Sequence, residues 1–386
     1  MVKHSSRIYL SQSALKQNFT FIREKTGSHP IISSVVKANA FGHEISAFVP
    51  MVEKCGIRHF SVASSYEAWE VKNALTKEDS KIMIMGILYP EDLPWVIENE
   101  VEFFVYDLEQ LENARKVAEE VEKPAFIHLE LETGGNRTGL PKEQLESAVK
   151  FLKKNEKYLK FEGVCTHFAG IESLANQFRV QRQIKEFEAM NRTIKKIGHE
   201  PKIKHTACSA AALAFPETVM DLVRVGTAQY GMWPSPDIYN MHLLKTGKTK
   251  DAPMKRVMSW VTDVMHVKKV KKDEFIGYGT SFQAPKDMTV AVIPLGYSNG
   301  YPKALSNRGH VLIHGKKAPV TGLINMNVFM VDVSHIPNVK VGDDVVLIGK
   351  QKSKTITIKS FTDFTNAINN ELVSRLPTAI PRIPVK

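Results

Sequence analysis

An alternation of apolar strand-like runs with amphipathic helical ones, repeated eight times between Ile31 and Val225, most restricts what this chain can fold into. The strand-like runs are Ile31–Val36, His59–Ala63, Lys81–Met85, Glu102–Val105, Ala125–Leu131, Phe161–Thr166, Ile203–Ala207 and Leu222–Val225. They are short, and the first is an apolar run rich in β-branched residues, as buried strands are. Helical patterns such as Tyr66–Leu75, Leu108–Glu119, Lys142–Lys153 and Asn176–Ile197 lie between them, so most strands have a crossover. Eight such repeats predict an α/β fold, a closed parallel (β/α)8 TIM-type barrel in preference to a doubly wound open sheet. A short segment at Arg7–Leu10 and a helical pattern at Leu15–Glu24 precede the first repeat.

The pattern changes after about Lys245. From Met254 the chain shows short alternating strands, including Val261–Val270, Thr289–Ile293, His310–Ile313 and Val345–Ile348, with one helical stretch near Asn366–Arg375. This is a mostly-β second domain. The expected division is a barrel over residues 8–245 and a C-terminal β domain over 254–386, with Leu243–Pro253 as junction and the opening segment 1–10 able to pack with the latter. A length of 386 residues agrees with two domains.

Composition narrows the function classes. The N-terminus lacks the apolar core of a signal peptide, and no run approaches the roughly 20 apolar residues of a membrane span, so a cytoplasmic location is expected. Cys55, Cys165 and Cys208 are few and far apart, which argues for reduced thiols and against a disulfide framework or zinc site; no metal is expected. The net charge of +11 is spread over scattered lysines, with one short run at Lys268, Lys269, Lys271 and Lys272. Basic clusters interleaved with aromatics are missing, so nucleic acid is not an expected partner.

Active-site groups of such a barrel come from the C-terminal ends of its strands. Strand one delivers Lys37, strand five runs into TGGNRTG with Arg137, strand six ends at His167, strand seven at Cys208 and Ser209, and strand eight carries Arg224 before Gly226 and Thr227. Lys37 is either a lysine that keeps its ammonium in water or one depressed enough to form a Schiff base. Alternation along strand five turns His128, Glu130 and Glu132 inward, with Arg137 or another inward cation as the expected counter-charge. In RVGTAQYG, a glycine followed by a small hydroxyl residue lets backbone N–H groups approach a phosphate. Lysine at one end and this loop with Ser209 at the other outline a pyridoxal phosphate (PLP) site.

At this point the motifs VVKANAFGH, TGGNRTG, VCTHFAG, HTACSAA, RVGTAQYG, GYGTSF, IPLGYSNGYP and AIPRI resemble those of the alanine racemases, PLP enzymes with a barrel and a C-terminal β domain. The likeness runs from about Ile8 to Arg382. It implies that Lys37 is the Schiff-base lysine, that Arg224 faces the pyridine nitrogen, and that Ser209, Gly226 and Thr227 help hold the phosphate. It also implies that Tyr278 is the second catalytic base and that Arg137 and the Met326 backbone meet the substrate carboxylate. His167 is expected beside the cofactor, giving cationic or hydrogen-bonding help to Tyr278, whose phenol is by itself a poor base at neutral pH. Tyr297 is placed among the supporting residues.

Racemisation removes a proton from one face of Cα and returns one to the other, so a base on each side is the minimal arrangement. Departures from the family pattern bear on the substrate. Glu130 stands where many members have a carbamylated lysine, Phe41 and Thr378 replace tyrosines, Cys208 replaces an asparagine, and Asn325, Asn327 and Val328 alter the surroundings of Met326. The leading expectation is a racemase interconverting L- and D-alanine, the latter a cell-wall building block, working as a homodimer with shared sites. A racemase of broader or different range is the runner-up. A PLP-dependent decarboxylase is disfavoured by the absence of its glycine-rich and cysteine motifs, and a non-catalytic PLP-binding protein by the second domain and Tyr278.

Overall fold

In the computed structural model, which describes residues 3–365 and 368–386, the chain divides into two units. Residues 13–38 and 49–255 form one; residues 3–12, 39–48 and the chain from Arg256 onward form the other.

The first unit is the barrel. Its strands are β1 (Ile31–Val35), β2 (His59–Ser64), β3 (Lys81–Ile87), β4 (Glu102–Val105), β5 (Ala125–Glu130), β6 (Leu159–Cys165), β7 (Ile203–His205) and β8 (Leu222–Val225). Each pairs in parallel with the next from β1 to β7, and β8 pairs with β1. The β7–β8 seam is joined by single bonds, Asp221 N–H to the Lys204 carbonyl at 3.1 Å and Arg224 N–H to that of Ala207 at 2.9 Å. β7 stops at His205, two residues short of the sequence expectation, because Cys208 is already the residue from which the helix Ser209–Ala214 starts.

Local chemistry ends the helices where they end. Ser64 and Asp107 cap Ser65–Ala74 and Leu108–Glu120 by accepting the N–H of Glu67 and Gln110, and Gln177–Ile197 stops at Gly198 in the left-handed region. Apolar residues of these helices, such as Val71, Leu111 and Phe187, are buried.

The second unit is built on strands in the order His266–Val270, Met288–Ile293, Phe329–Asp332, Lys316–Thr321, His310–Ile313, Asp344–Gln351, Met258–Asp263, Ser6–Ser11 and Arg382–Val385. The expected single strand Val261–Val270 is two. Val264 N–H bonds to Asp343 and Met265 N–H to Val292, so the chain leaves one partner strand for another between them. Of the helical stretch near Asn366–Arg375, Asn366 and Ala367 lie outside the described residues, and Asn369–Ser374 is helical. An aromatic stack fills this core, with Tyr301 and Phe329 rings 4.5 Å apart and Phe361 edge-on to Tyr301.

Arg382, from the closing AIPRI, is buried in this unit and donates to the carbonyls of Gly42 (3.1 Å), Leu376 (3.2 Å), Pro377 (2.6 Å) and Ile380 (2.5 Å). Gly42 has no substitute there, since a Cβ would lie 1.9 Å from the Val373 carbonyl oxygen and φ is +74°. Arg382→Met should leave four carbonyls without their donor and cost about 3 kcal/mol, a fall of about 6–12 °C in melting temperature by circular dichroism. An unchanged melt would show that these carbonyls find water instead.

Candidate active site

The end of β1 is locked before Lys37 emerges. Ser34 Oγ donates to Gln229 Oε1 at 2.6 Å, and the Val35 carbonyl accepts from Gln229 Nε2 at 2.9 Å and from the Tyr230 hydroxyl at 3.0 Å. Lys37 then opens a turn in which Ala38, Asn39, Ala40 and Phe41 have φ between +50° and +54°. Side-chain-bearing residues avoid this left-handed conformation at about 1–2 kcal/mol each, so the turn persists only where its surroundings enforce it. One enforcing contact is Glu67, whose carboxylate accepts the Ala38 N–H at 2.6 Å and the Ala63 N–H at 2.8 Å. Sequence reading missed Glu67, although Ser64-Ser65-Tyr66-Glu67 has the S-x-x-E spacing of a capping box and so marks a glutamate aimed back at the preceding loop.

Three cations converge at this end of the barrel. Crowding by protein atoms, the charge of Arg137 and more weakly that of Arg224 lower the Lys37 pKa, against an opposing pull from Glu67. A lowered lysine pKa favours the free-amine form that a nucleophile uses. His167 is pushed down to about 3 by desolvation and by Arg224, Arg137 and Lys37. It is therefore a neutral imidazole, and the expected cationic help to a tyrosine is withdrawn; hydrogen bonding is what remains open to it.

Arg224 is buried and held on several sides. Its Nη1 donates to His205 Nδ1 at 2.5 Å, and its Nη2 donates to the Thr166 carbonyl at 2.8 Å and that of Thr206 at 3.3 Å. Guanidinium nitrogens only donate, so a ring nitrogen facing this arginine would stay unprotonated. On the neighbouring loop the N–H groups of Gly226 and Ala228 converge on Ser209 Oγ at 2.9 and 3.4 Å, with Thr227 between them. With its lone pairs so engaged, the Ser209 hydroxyl keeps a proton to donate to an anion.

The TGGNRTG loop is shaped by Glu132, not by an ion pair. Glu132 accepts the N–H groups of Gly134 (2.5 Å), Gly135 (2.7 Å) and Asn136 (2.9 Å). The expected Glu130–Arg137 pair is absent among the described residues: Glu130 is buried with Oε2 lacking a hydrogen-bond partner, and Arg137 is exposed. Both nonetheless line one cavity of about 190 Å³, together with Thr133, Thr166 and His167. The inward His128 of strand five meets Glu102 of the neighbouring strand instead, by a hydrogen bond of 3.0 Å.

The remaining expected residues belong to the second unit. Tyr278, Tyr297 and Met326 line a groove of about 930 Å³ and are exposed by 71%, 45% and 55%. The Asn325 carbonyl accepts from Tyr297 N–H at 3.0 Å and the Met326 carbonyl from Ser298 Oγ at 2.7 Å and Ser298 N–H at 3.1 Å, which fixes the peptides on both sides of Met326 and leaves the Met326 N–H free among the described residues. Phe41 is buried and Thr378 exposed, and neither lines the groove.

The first unit is thus a parallel barrel with a lysine of lowered pKa after its first strand and backbone N–H groups gathered on a serine hydroxyl beside its last. Family models for the alanine racemase N-terminal domain and C-terminal domain match residues 10–234 and 257–384. The chain is 34% identical over 385 residues to an alanine racemase of Leptospira interrogans, covering 99% of this chain and 96% of that one. A solved alanine racemase from Streptomyces lavendulae superposes with a TM-score of 0.88 at 26% identity, over 100% of this chain and 98% of the other. A histidine racemase from Leuconostoc mesenteroides gives 0.89 at 26% identity, over 100% and 99%. The chain belongs to the alanine racemase family, a family of PLP-dependent isomerases.

Proposed function

We propose that this protein is a PLP-dependent racemase interconverting L- and D-alanine, with Lys37 and Tyr278 as the two bases. The observation that carries the reading is the convergence of Lys37, Arg137 and Arg224 at the barrel's C-terminal end, close enough for each arginine to lower the lysine pKa. The residues fit the cofactor. Ser209, Gly226 and Thr227 form a cradle for its phosphate, Arg224 presents donors only to its ring nitrogen, and Lys37 is poised to hold its aldehyde covalently. When bound, PLP would acidify the substrate's Cα proton by withdrawing electrons.

The chain's own groups do the rest. Lys37 Nζ takes or returns a proton on one face of Cα and the Tyr278 hydroxyl does so on the other. Arg137 and the Met326 N–H orient the substrate carboxylate, and Glu130 lines the same cavity as Arg137. Arg224 limits electron withdrawal into the ring, which favours proton return over side reactions.

A two-fold homodimer, in which one chain's Tyr278 groove serves the partner's barrel, is supported by the exposure of Tyr278, Met326 and Phe275 on one concave face. Lys37→Ala and Tyr278→Phe chains, each nearly inactive, should complement on co-expression. Random mixing leaves one intact site in each mixed dimer and restores about a quarter of wild-type activity. Activity no higher than the sum of the two variants, with mixed dimers confirmed by mass, would mean that each chain builds its own site.

The likeness to a histidine racemase, together with Phe41 and Thr378, favours a different or broader amino-acid range as the second reading. Chiral chromatography after incubation with a panel of L-amino acids decides between them. Alanine should be converted fastest; a larger kcat/KM for histidine or another side chain would transfer the assignment.

A further inference from the structure

Beneath Arg224 the barrel interior holds polar side chains that the site described above does not use. His205 Nε2 lies 2.9 Å from His128 Nδ1, and His128 Nε2 lies 3.0 Å from Glu102 Oε2. His59 Nε2 approaches the same oxygen at 3.2 Å, and Lys81 Nζ lies 3.3 Å from Oε1. His128 and His205 have no exposed surface, and Glu102 has 4%.

The direction of each bond follows by elimination. Arg224 can only donate, so His205 Nδ1 is bare and its proton sits on Nε2. That proton points at His128 Nδ1, which must accept, so the His128 proton sits on Nε2 and is donated to the carboxylate. Both rings are thereby neutral and confined to one tautomer. Burial, then Arg224, keeps His205 well below the ordinary histidine range, and hydrogen bonds from His128 and His59 outweigh burial to hold Glu102 ionised.

Two further features keep the row in place. A Cβ on Gly163 of β6 would lie 2.0 Å from His128 Nδ1, so that strand makes room for the ring by lacking a side chain. Phe104 of β4 packs against His128, His205 and the Arg224 guanidinium, with centres 6.1, 5.8 and 5.8 Å away, and walls the row with an apolar face.

We propose that Glu102 and His128 are positioning residues for Arg224: the carboxylate orders the two imidazoles, and the bare nitrogen that His205 then presents aims the guanidinium. The kinetic consequence rests on the reading that Arg224 faces the cofactor ring; the tautomer consequence does not.

The test uses PLP-loaded protein labelled with 15N-histidine, in which two-bond proton–nitrogen correlations report each tautomer. In wild type, His205 and His128 should each show a single tautomer with the proton on Nε2. His128→Phe leaves the His205 proton without an acceptor. It should give a mixture of His205 tautomers and lower kcat about tenfold or more, with KM within about twofold, as for other groups that orient a functional side chain from behind. His128→Gln, whose amide can accept from His205 and donate to Glu102, should restore the single tautomer and most of kcat. If His128→Phe does not fold, Glu102→Gln keeps the shape and an acceptor oxygen but not the charge, and a kcat fall of about threefold or more is expected. A folded His128→Phe with the wild-type His205 pattern and kcat would overturn the proposal, as would a Glu102→Gln enzyme indistinguishable from wild type. Should the wild type fail to racemise amino acids, the tautomer pattern still decides whether the row is ordered.

Discussion

Purified Lys37→Ala protein, supplied with PLP, is expected to lose the visible absorbance of lysine-bound pyridoxal and to fall to background racemisation. Two roles end together, because the same nitrogen is the covalent anchor and one of the two bases. Ser209, Gly226 and Arg224 are untouched, so the variant should still bind PLP, weakly and reversibly. The fold should also survive: Lys37 is exposed, and the left-handed turn that follows is held by backbone bonds such as Ala38 N–H to Glu67. A retained visible band after dialysis would show that another lysine holds the cofactor.

Replacing Tyr278 by phenylalanine should keep the absorbance and lower kcat by about 10²–10⁴-fold, the usual contribution of one general base. Each base serves one face of Cα, so the two directions should show different solvent isotope effects in the residual rate. The hydroxyl is the only group removed, from a side chain 71% exposed, so the melting temperature should stay within about 1 °C. Wild-type rates in both directions would remove Tyr278 from the mechanism.

Much of this site is legible before any coordinates, for reasons that lie in strand geometry. A parallel strand buried on both faces must be an apolar run, so a titratable residue in it or just past its end stands out; Lys37, His167 and Arg224 declare themselves in this way, and Arg137 by the loop that follows strand five. Period-two alternation along Ala125–Glu130 likewise turns His128 and Glu130 toward the interior, and both are buried. Which groups then pair is not written in the period. Glu132 turns back to its own loop, Glu130 Oε2 has no hydrogen-bond partner among the described residues, and His128 meets a carboxylate 26 residues earlier, because the register between β4 and β5 is set by hydrogen bonds between the strands.

The turn after Lys37 was hidden for another reason. Ala-Asn-Ala-Phe carries no glycine until Gly42, so nothing local announces four consecutive residues at positive φ. Tertiary contacts impose that conformation against local preference, as happens where a functional group must be aimed. The second unit was legible as β-rich but not in its strand breaks, since the exchange of partners at Val264 and Met265 depends on Asp343 and Val292, far away in sequence.

The most direct measurement is the fate of L-alanine incubated in deuterium oxide with the PLP-loaded protein, followed by chiral chromatography and mass spectrometry. Two bases on opposite faces require D-alanine to appear until the enantiomers are about equal, each new D molecule carrying deuterium at Cα from its first appearance. Loss of carbon dioxide, no D-alanine at all, or early D-alanine that retains the original proton would contradict a two-base racemase built on Lys37 and Tyr278.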